Sequence, residues 1–313
     1  MKRLVYVTCV GGGIMLSAAC GSHAPPRTAP GGNAVARDSL EVYIGKVRRL
    51  SVAAVPKHTA VVTVESQNAE LRGALGALSG GATAERHLRV ADAYRSAGIL
   101  DLAYDHFVAA RDLDSRDAAA YDGLARIWRD WGVPHLGLGD ARRALYYAPQ
   151  SAAAHNTFGT LLDALGQRAE ARHAFERALA LDPGATYAWT NLCYQSFQAG
   201  DFDAATASCR RALTLDPGFA PAHNNLALVY AAAGNVQLAD AEFAAVGDEA
   251  SRQYNVGIVF SASRRYADAA RAFDAAGRLR PGWTIAAERA RQARRLAQAP
   301  GSVREARLWP PQS

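Results

Sequence analysis

Between residues 84 and 283 the apolar positions recur at helical spacing, and they do so in pairs of short segments. In 152–185, His155, Phe158, Gly159 and Leu162 fall on one stripe of a segment running about 155–165. Ala171, Phe175 and Ala178 fall on one stripe of a second segment running about 168–181. Steps of three and four residues put such positions on a single helix face. Gly166 closes the first segment as a left-handed stop. Asp182-Pro183 ends the second, because the residue before a proline is pushed out of helical geometry. The predicted unit is an antiparallel pair of helices whose small facing residues let the backbones approach closely.

The unit repeats. Gly98, Gly132, Gly166, Gly200 and Gly234 are each 34 residues apart, as are Pro149, Pro183 and Pro217. Leu181-Asp182-Pro183-Gly184 returns as Leu215-Asp216-Pro217-Gly218 at the same step. Such a period marks a stacked repeat architecture, in which each hairpin buries its apolar face against its neighbours. One unit carries Trp189, Leu192, Cys193, Gly200, Ala205, Ala212 and Pro217; the next carries Leu226, Ala227, Tyr230, Gly234, Ala239 and Phe243. This pattern resembles the tetratricopeptide repeat. The resemblance implies an all-α, right-handed solenoid of about six hairpins, at 84–117, 118–151, 152–185, 186–219, 220–249 and 250–283. The fifth is four residues short, and the sixth restores phase through Gly257, Phe260, Tyr266, Ala269, Phe273, Ala276 and Pro281. Residues 284–297 should form a solvating capping helix, with 298–313 a disordered tail.

Upstream the chain reads differently. Lys2 and Arg3 precede an uncharged run over 4–19, too short for a spanning helix and suited to a signal peptide over 1–19. It ends in Leu16-Ser17-Ala18-Ala19-Cys20, which resembles a bacterial lipobox and makes Cys20 the lipidation site; an ordinary signal peptide is the alternative. By the same resemblance, Gly21 after the cysteine favours the outer membrane, facing the periplasm. Residues 20–37 are rich in proline and glycine and read as a flexible tether. Residues 38–83 form an irregular cap, with an amphipathic helix over 38–50, a short strand over 59–64 and a helix over 66–78.

Composition narrows the class. Half of the 313 residues are apolar and a fifth charged, which suits a globular chain, and the mean hydropathy of −0.12 excludes a polytopic membrane protein. The formal charge is +6, and +4 without Lys2 and Arg3. Residues 284–313 set Arg289, Arg291, Arg294, Arg295, Arg304 and Arg307 against Glu288 and Glu305. A solvated face is the simplest account of that tail, and contact with anionic lipid or an acidic partner the alternative. Aromatic–basic interleaving is lacking, so no nucleic acid is expected.

No phosphate loop, nucleophile elbow, helical metal pair or dinucleotide glycine set occurs, so neither catalysis, cofactor nor metal is expected. His87, His155 and His223 sit 68 apart at the repeat's large aromatic position and read as ring-shaped core residues. Asp201 and Asp203 fall at helix starts, where capping explains them.

The resemblance places Cys193 and Cys209 at facing positions of one hairpin, normally a small residue and a phenylalanine. Either a disulfide or two buried thiols fits. It also implies a concave groove that takes a protein partner as an extended peptide or helix. The inward positions are Arg126, Arg129, Asn156 and Thr160, then Tyr187, Thr190, Tyr194 and Phe197, then Asn224, Leu228, Tyr254 and Ile258. The basic set that clamps chaperone C-termini is missing. The expected role is a non-catalytic envelope scaffold, held to the membrane by its N-terminal lipid and aiding assembly of a pilus or secretion channel. The alternative is an adaptor that docks and regulates an envelope enzyme acting on peptidoglycan.

Overall fold

The computed structural model describes residues 6–10, 13–17, 65 and 68–298. The expected lipidation at Cys20, tether, 38–50 helix, 59–64 strand and tail from 299 lie outside the described residues. Within the expected signal peptide, β1 (Tyr6–Val10) and β2 (Gly13–Ser17) pair antiparallel, with Tyr6 opposite Ser17 and Val10 opposite Gly13. β-Branched residues suit that pairing.

Everything else described with regular structure is helical. The chain divides into two compact bodies, one of 24–183 and one of 184–313 with 1–23. In the first, α1 (Ala69–Ser79) precedes the hairpins α2 (Ala84–Ser96)/α3 (Leu100–Leu113), α4 (Ala118–Asp130)/α5 (Pro134–Tyr147) and α6 (Ala152–Ala164)/α7 (Arg168–Leu181). In the second, α8 (Thr186–Ala199)/α9 (Phe202–Leu215), α10 (Ala220–Ala232)/α11 (Val236–Val246) and α12 (Glu249–Ala262)/α13 (Tyr266–Leu279) are closed by α14 (Thr284–Gln298).

The turn inside each hairpin explains the glycine ladder. Gly98, Gly132, Gly166, Gly200 and Gly234 have φ of 76–81°, the left-handed region in which a Cβ is penalised. The next residue then donates back to the carbonyl five residues before it, as in Gln167 N to Leu162 O at 2.9 Å, which satisfies a carbonyl the helix end would orphan. In the last hairpin Arg264 takes the glycine's place at φ 57°, the only positive-φ non-glycine residue among those described. Asp201 accepts from Ala204 N at 3.0 Å, the capping role its position predicts.

The core is built from alanines and, in four of the six hairpins, one buried phenylalanine. Phe107, Phe175, Phe243 and Phe273 are at most 1 % exposed. A Cβ on Gly159 would lie 2.6 Å from the Phe175 ring, and one on Gly257 would lie 2.7 Å from that of Phe273. The glycine is what lets each ring lie flat against the opposite backbone. In α8/α9 the same two positions hold Cys193 and Cys209, fully buried and joined as a disulfide with Cα atoms 5.2 Å apart. A covalent bridge fills the space that ring and glycine fill in α6/α7 and α12/α13.

Candidate functional site

The first helix of each hairpin forms the inner layer, in which α2 packs on α4 and α4 on α6. Helical phase turns the residues at the groove positions of these helices toward one face. In the first body that face is a lattice of alternating charge. Arg126 contacts Asp122 at 3.0 Å and Asp92 at 3.3 Å, and Asp92 also faces Arg95 at 3.8 Å. Arg95 reaches Asp130 at 3.3 Å; Arg129 holds the same carboxylate at 2.8 Å and donates to Thr160 Oγ1 at 3.1 Å. Three arginines and three aspartates thus run across α2 and α4 with no net charge, and Thr160 extends the network to α6.

Two of the sequence-predicted anchors, Arg126 and Arg129, belong to this lattice. Asp92, Arg95, Asp122 and Asp130 escaped the sequence reading. Their signal was present: Asp92 and Arg126 are one period apart, as are Arg95 and Arg129. All six side chains are partly buried, and Arg95 Nε, Arg126 Nε and one oxygen each of Asp92 and Asp122 lack a well-aligned hydrogen bond. Charged neighbours hold them electrostatically while hydrogen-bonding capacity is left over. Asn156 is half-buried on α6.

The second body's inner face is aromatic and amide-rich. Tyr194 and Phe197 have ring centroids 6.2 Å apart and are half-buried, and Phe197 rests on the core that contains the disulfide. Tyr187, Asn224 and Leu228 are half-buried; Ile258 packs against the terminal core.

Two predicted groove residues are not on the surface. Thr190 is 5 % exposed, its hydroxyl turned back to Thr186 O at 2.8 Å, and its carbonyl accepts from the buried Asn225 amide at 3.2 Å. Tyr254 is 1 % exposed, wedged between Phe273 and a stacked Trp283 at 5.3 and 4.8 Å between centroids. The capping segment covers Tyr254, which the repeat position alone could not reveal.

The histidines at the large aromatic position do more than fill core. His155 and His223 are half-buried, and their Nε2 atoms meet the carbonyls of Pro149 and Pro217 at 3.0 and 2.9 Å. Each ring ties its helix to the preceding turn. His223 Nδ1 also meets Glu242 at 2.7 Å, and His87 Nδ1 meets His106 Nδ1 at 2.9 Å. Burial, then the neighbouring His87, pushes the His106 pKa down. Among the described residues no group of three or more His, Cys, Asp or Glu is placed to hold a metal. No described helix is long and apolar enough to cross a membrane.

Residues 156–218 and 196–254 each match a model of the tetratricopeptide repeat. Together they cover about a third of the chain, which there is similar to tetratricopeptide repeats. Among solved structures, the Cut9 and Hcn1 hetero-tetramer of APC/C aligns at a TM-score of 0.59 and 16 % identity over 71 % of this chain. The chain spans only 45 % of that relative's length. PilW, described as a widely conserved type IV pilus biogenesis factor, aligns at 0.55 and 24 % identity over 67 % of this chain and 97 % of its own. PilF of Pseudomonas aeruginosa aligns at 0.50 and 20 % identity over 67 % and 97 %. At such identities the likeness shows a tetratricopeptide-repeat fold. No curated protein matches the sequence significantly.

Proposed function

We propose that this chain is a non-catalytic protein-binding scaffold of the bacterial cell envelope that aids assembly of a multiprotein complex such as a pilus or secretion channel. The observation that carries the reading is the inner helix face of each body, where half-buried charges or aromatics stand on stacked repeats. A partner segment lying along the first body would find donors and acceptors held by neighbouring helices, which lowers the ordering entropy of binding. One along the second would find aromatic surface for apolar anchors. The lipobox-like sequence at Cys20, which suits the periplasmic side of the outer membrane, and the fold shared with PilW, described as a type IV pilus biogenesis factor, support the envelope setting.

The test is cross-linking in intact cells followed by capture, comparing the native chain with a Tyr194→Ala, Leu228→Ala variant. Recovery of a pilin or secretion-channel subunit, reduced at least tenfold in the variant, is the expected result. Equal recovery from both places binding elsewhere. Recovery of a peptidoglycan-acting enzyme in place of a structural subunit would overturn the assembly role.

A further inference from the structure

The net charge of this protein is concentrated at one end. Residues 264–298 hold nine arginines against Asp268, Asp274 and Glu288, a surplus of six that equals the formal charge of the entire chain. Several are paired: Arg271 and Arg265 with Asp268, Arg294 with Asp274, and Arg280 with Asp248. Arg264, Arg278, Arg289, Arg291 and Arg295 form no ion pair with a described carboxylate, and all but Arg289 are exposed. The surplus is therefore not consumed in holding the fold together.

The backbone supplies a second observation. Arg264 occupies the left-handed turn position that is glycine in five other hairpins. An L side chain there costs about 1 kcal/mol relative to glycine, so the fold is weakened where this arginine is displayed. Burial and hydrogen bonding of its side chain do not explain its presence, since it is exposed and has no described partner.

The surface beside these charges is not purely polar. Along the seam of α13 and α14 a groove of about 410 Å³ is floored by Phe273, Gly277, Trp283 and Ala287 and edged by Asp274 and Arg278. Leu279, next to Arg278, is 52 % exposed, and Leu296, next to Arg295, is 40 % exposed. Exposed leucines interleaved with unpaired arginines are costly in water and favourable where apolar groups can enter an interface while guanidinium groups stay with phosphates.

From this combination we propose that the terminal repeat and its capping helix form a docking surface for an anionic phospholipid bilayer. The arginines meet the headgroup phosphates and Leu279 and Leu296 enter the interface between headgroups and acyl chains. Single-stranded nucleic acid fits less well, because the terminal repeat's tryptophan is already occupied. Trp283 stacks with Tyr254 and has the Arg280 guanidinium 4.5 Å from its ring centroid, leaving little face for a base. The inference stands apart from the scaffold role, since it uses neither inner-face residues nor Cys20.

The test is co-sedimentation of the full chain with vesicles of phosphatidylglycerol or of phosphatidylcholine at low and high salt. Native protein is compared with Arg264→Gly alone, with Arg278→Gln, Arg291→Gln, Arg295→Gln together, and with the same three as lysine. All share the N-terminal segment, so differences between them report the C-terminal charges. A basic residue near an anionic surface contributes about a fivefold factor, so the triple glutamine variant should lose roughly 100-fold in affinity for phosphatidylglycerol. The lysine variant should keep most of it, and binding should weaken in salt. Arg264→Gly should bind several-fold more weakly while melting higher, a split that a purely structural arginine would not show. Unchanged sedimentation of the triple glutamine variant, or equal binding to both lipids, overturns the proposal. So does a native protein that ignores vesicles yet is retained on an immobilised acidic polypeptide.

Discussion

Replacing Cys193 and Cys209 together by alanine tests whether the bridge does the work that ring and glycine do in α6/α7 and α12/α13. The two cysteines are 16 residues apart and fully buried. Closing a loop of this length restricts the unfolded chain by about 3 kcal/mol on the chain-entropy account. Removing two buried sulfurs adds a cavity cost of about 1–2 kcal/mol. With a urea dependence of about 1–3 kcal/mol per molar for a body of this size, the bridge alone moves the midpoint by about 1–3 M. Urea melts followed by circular dichroism, with and without a phosphine reductant, separate the two contributions. Reductant should lower the midpoint of the native protein and leave the double-alanine variant unchanged. A Cys193→Gly, Cys209→Phe variant, copying Gly159 with Phe175, should recover the packing contribution and be indifferent to reductant. A native midpoint that does not respond to reductant, or free thiols by mass spectrometry without reduction, would refute the reasoning.

Gly159→Ala should destabilise by about 1–3 kcal/mol in a urea melt, because its Cβ would sit 2.6 Å from the Phe175 ring. The same change at the exposed Gly139, in mid-helix with open space around it, should stabilise by about 0.5–1 kcal/mol. Arg264→Gly should stabilise by about 1 kcal/mol, read in the same melts. His106 has its pKa lowered by burial and by His87, so the folded state resists its protonation. Stability is full above the ordinary histidine pKa of about 6.5 and is lost as pH falls through the lowered folded value. Asp105 opposes part of this. Melting temperatures from pH 8 to 4.5 should show the decline, and His106→Gln should flatten it.

A period of 34 in glycine and proline was enough to read the helical hairpins, because a left-handed turn and a helix stop are local demands that one residue type meets cheaply. The Asp201 cap and the nearness of Cys193 to Cys209 were legible for the same reason: both follow from position within a single hairpin. What happens between hairpins was not. Thr190 and Tyr254 hold groove positions by sequence, yet a helix-to-helix hydrogen bond from Asn225 and the capping segment with Trp283 take them out of solvent. Arg126 and Arg129 were visible as inner-face cations, but the Arg126–Asp92 and Arg95–Asp130 pairs join α2 to α4 and exist only once those helices stack. The repeat sequence determined which residues point inward or end a helix, since helix phase and turn geometry are local. The tertiary structure decided which inward residues remain available, because burial, ion pairing and closure of the terminal repeat depend on neighbours distant along the chain.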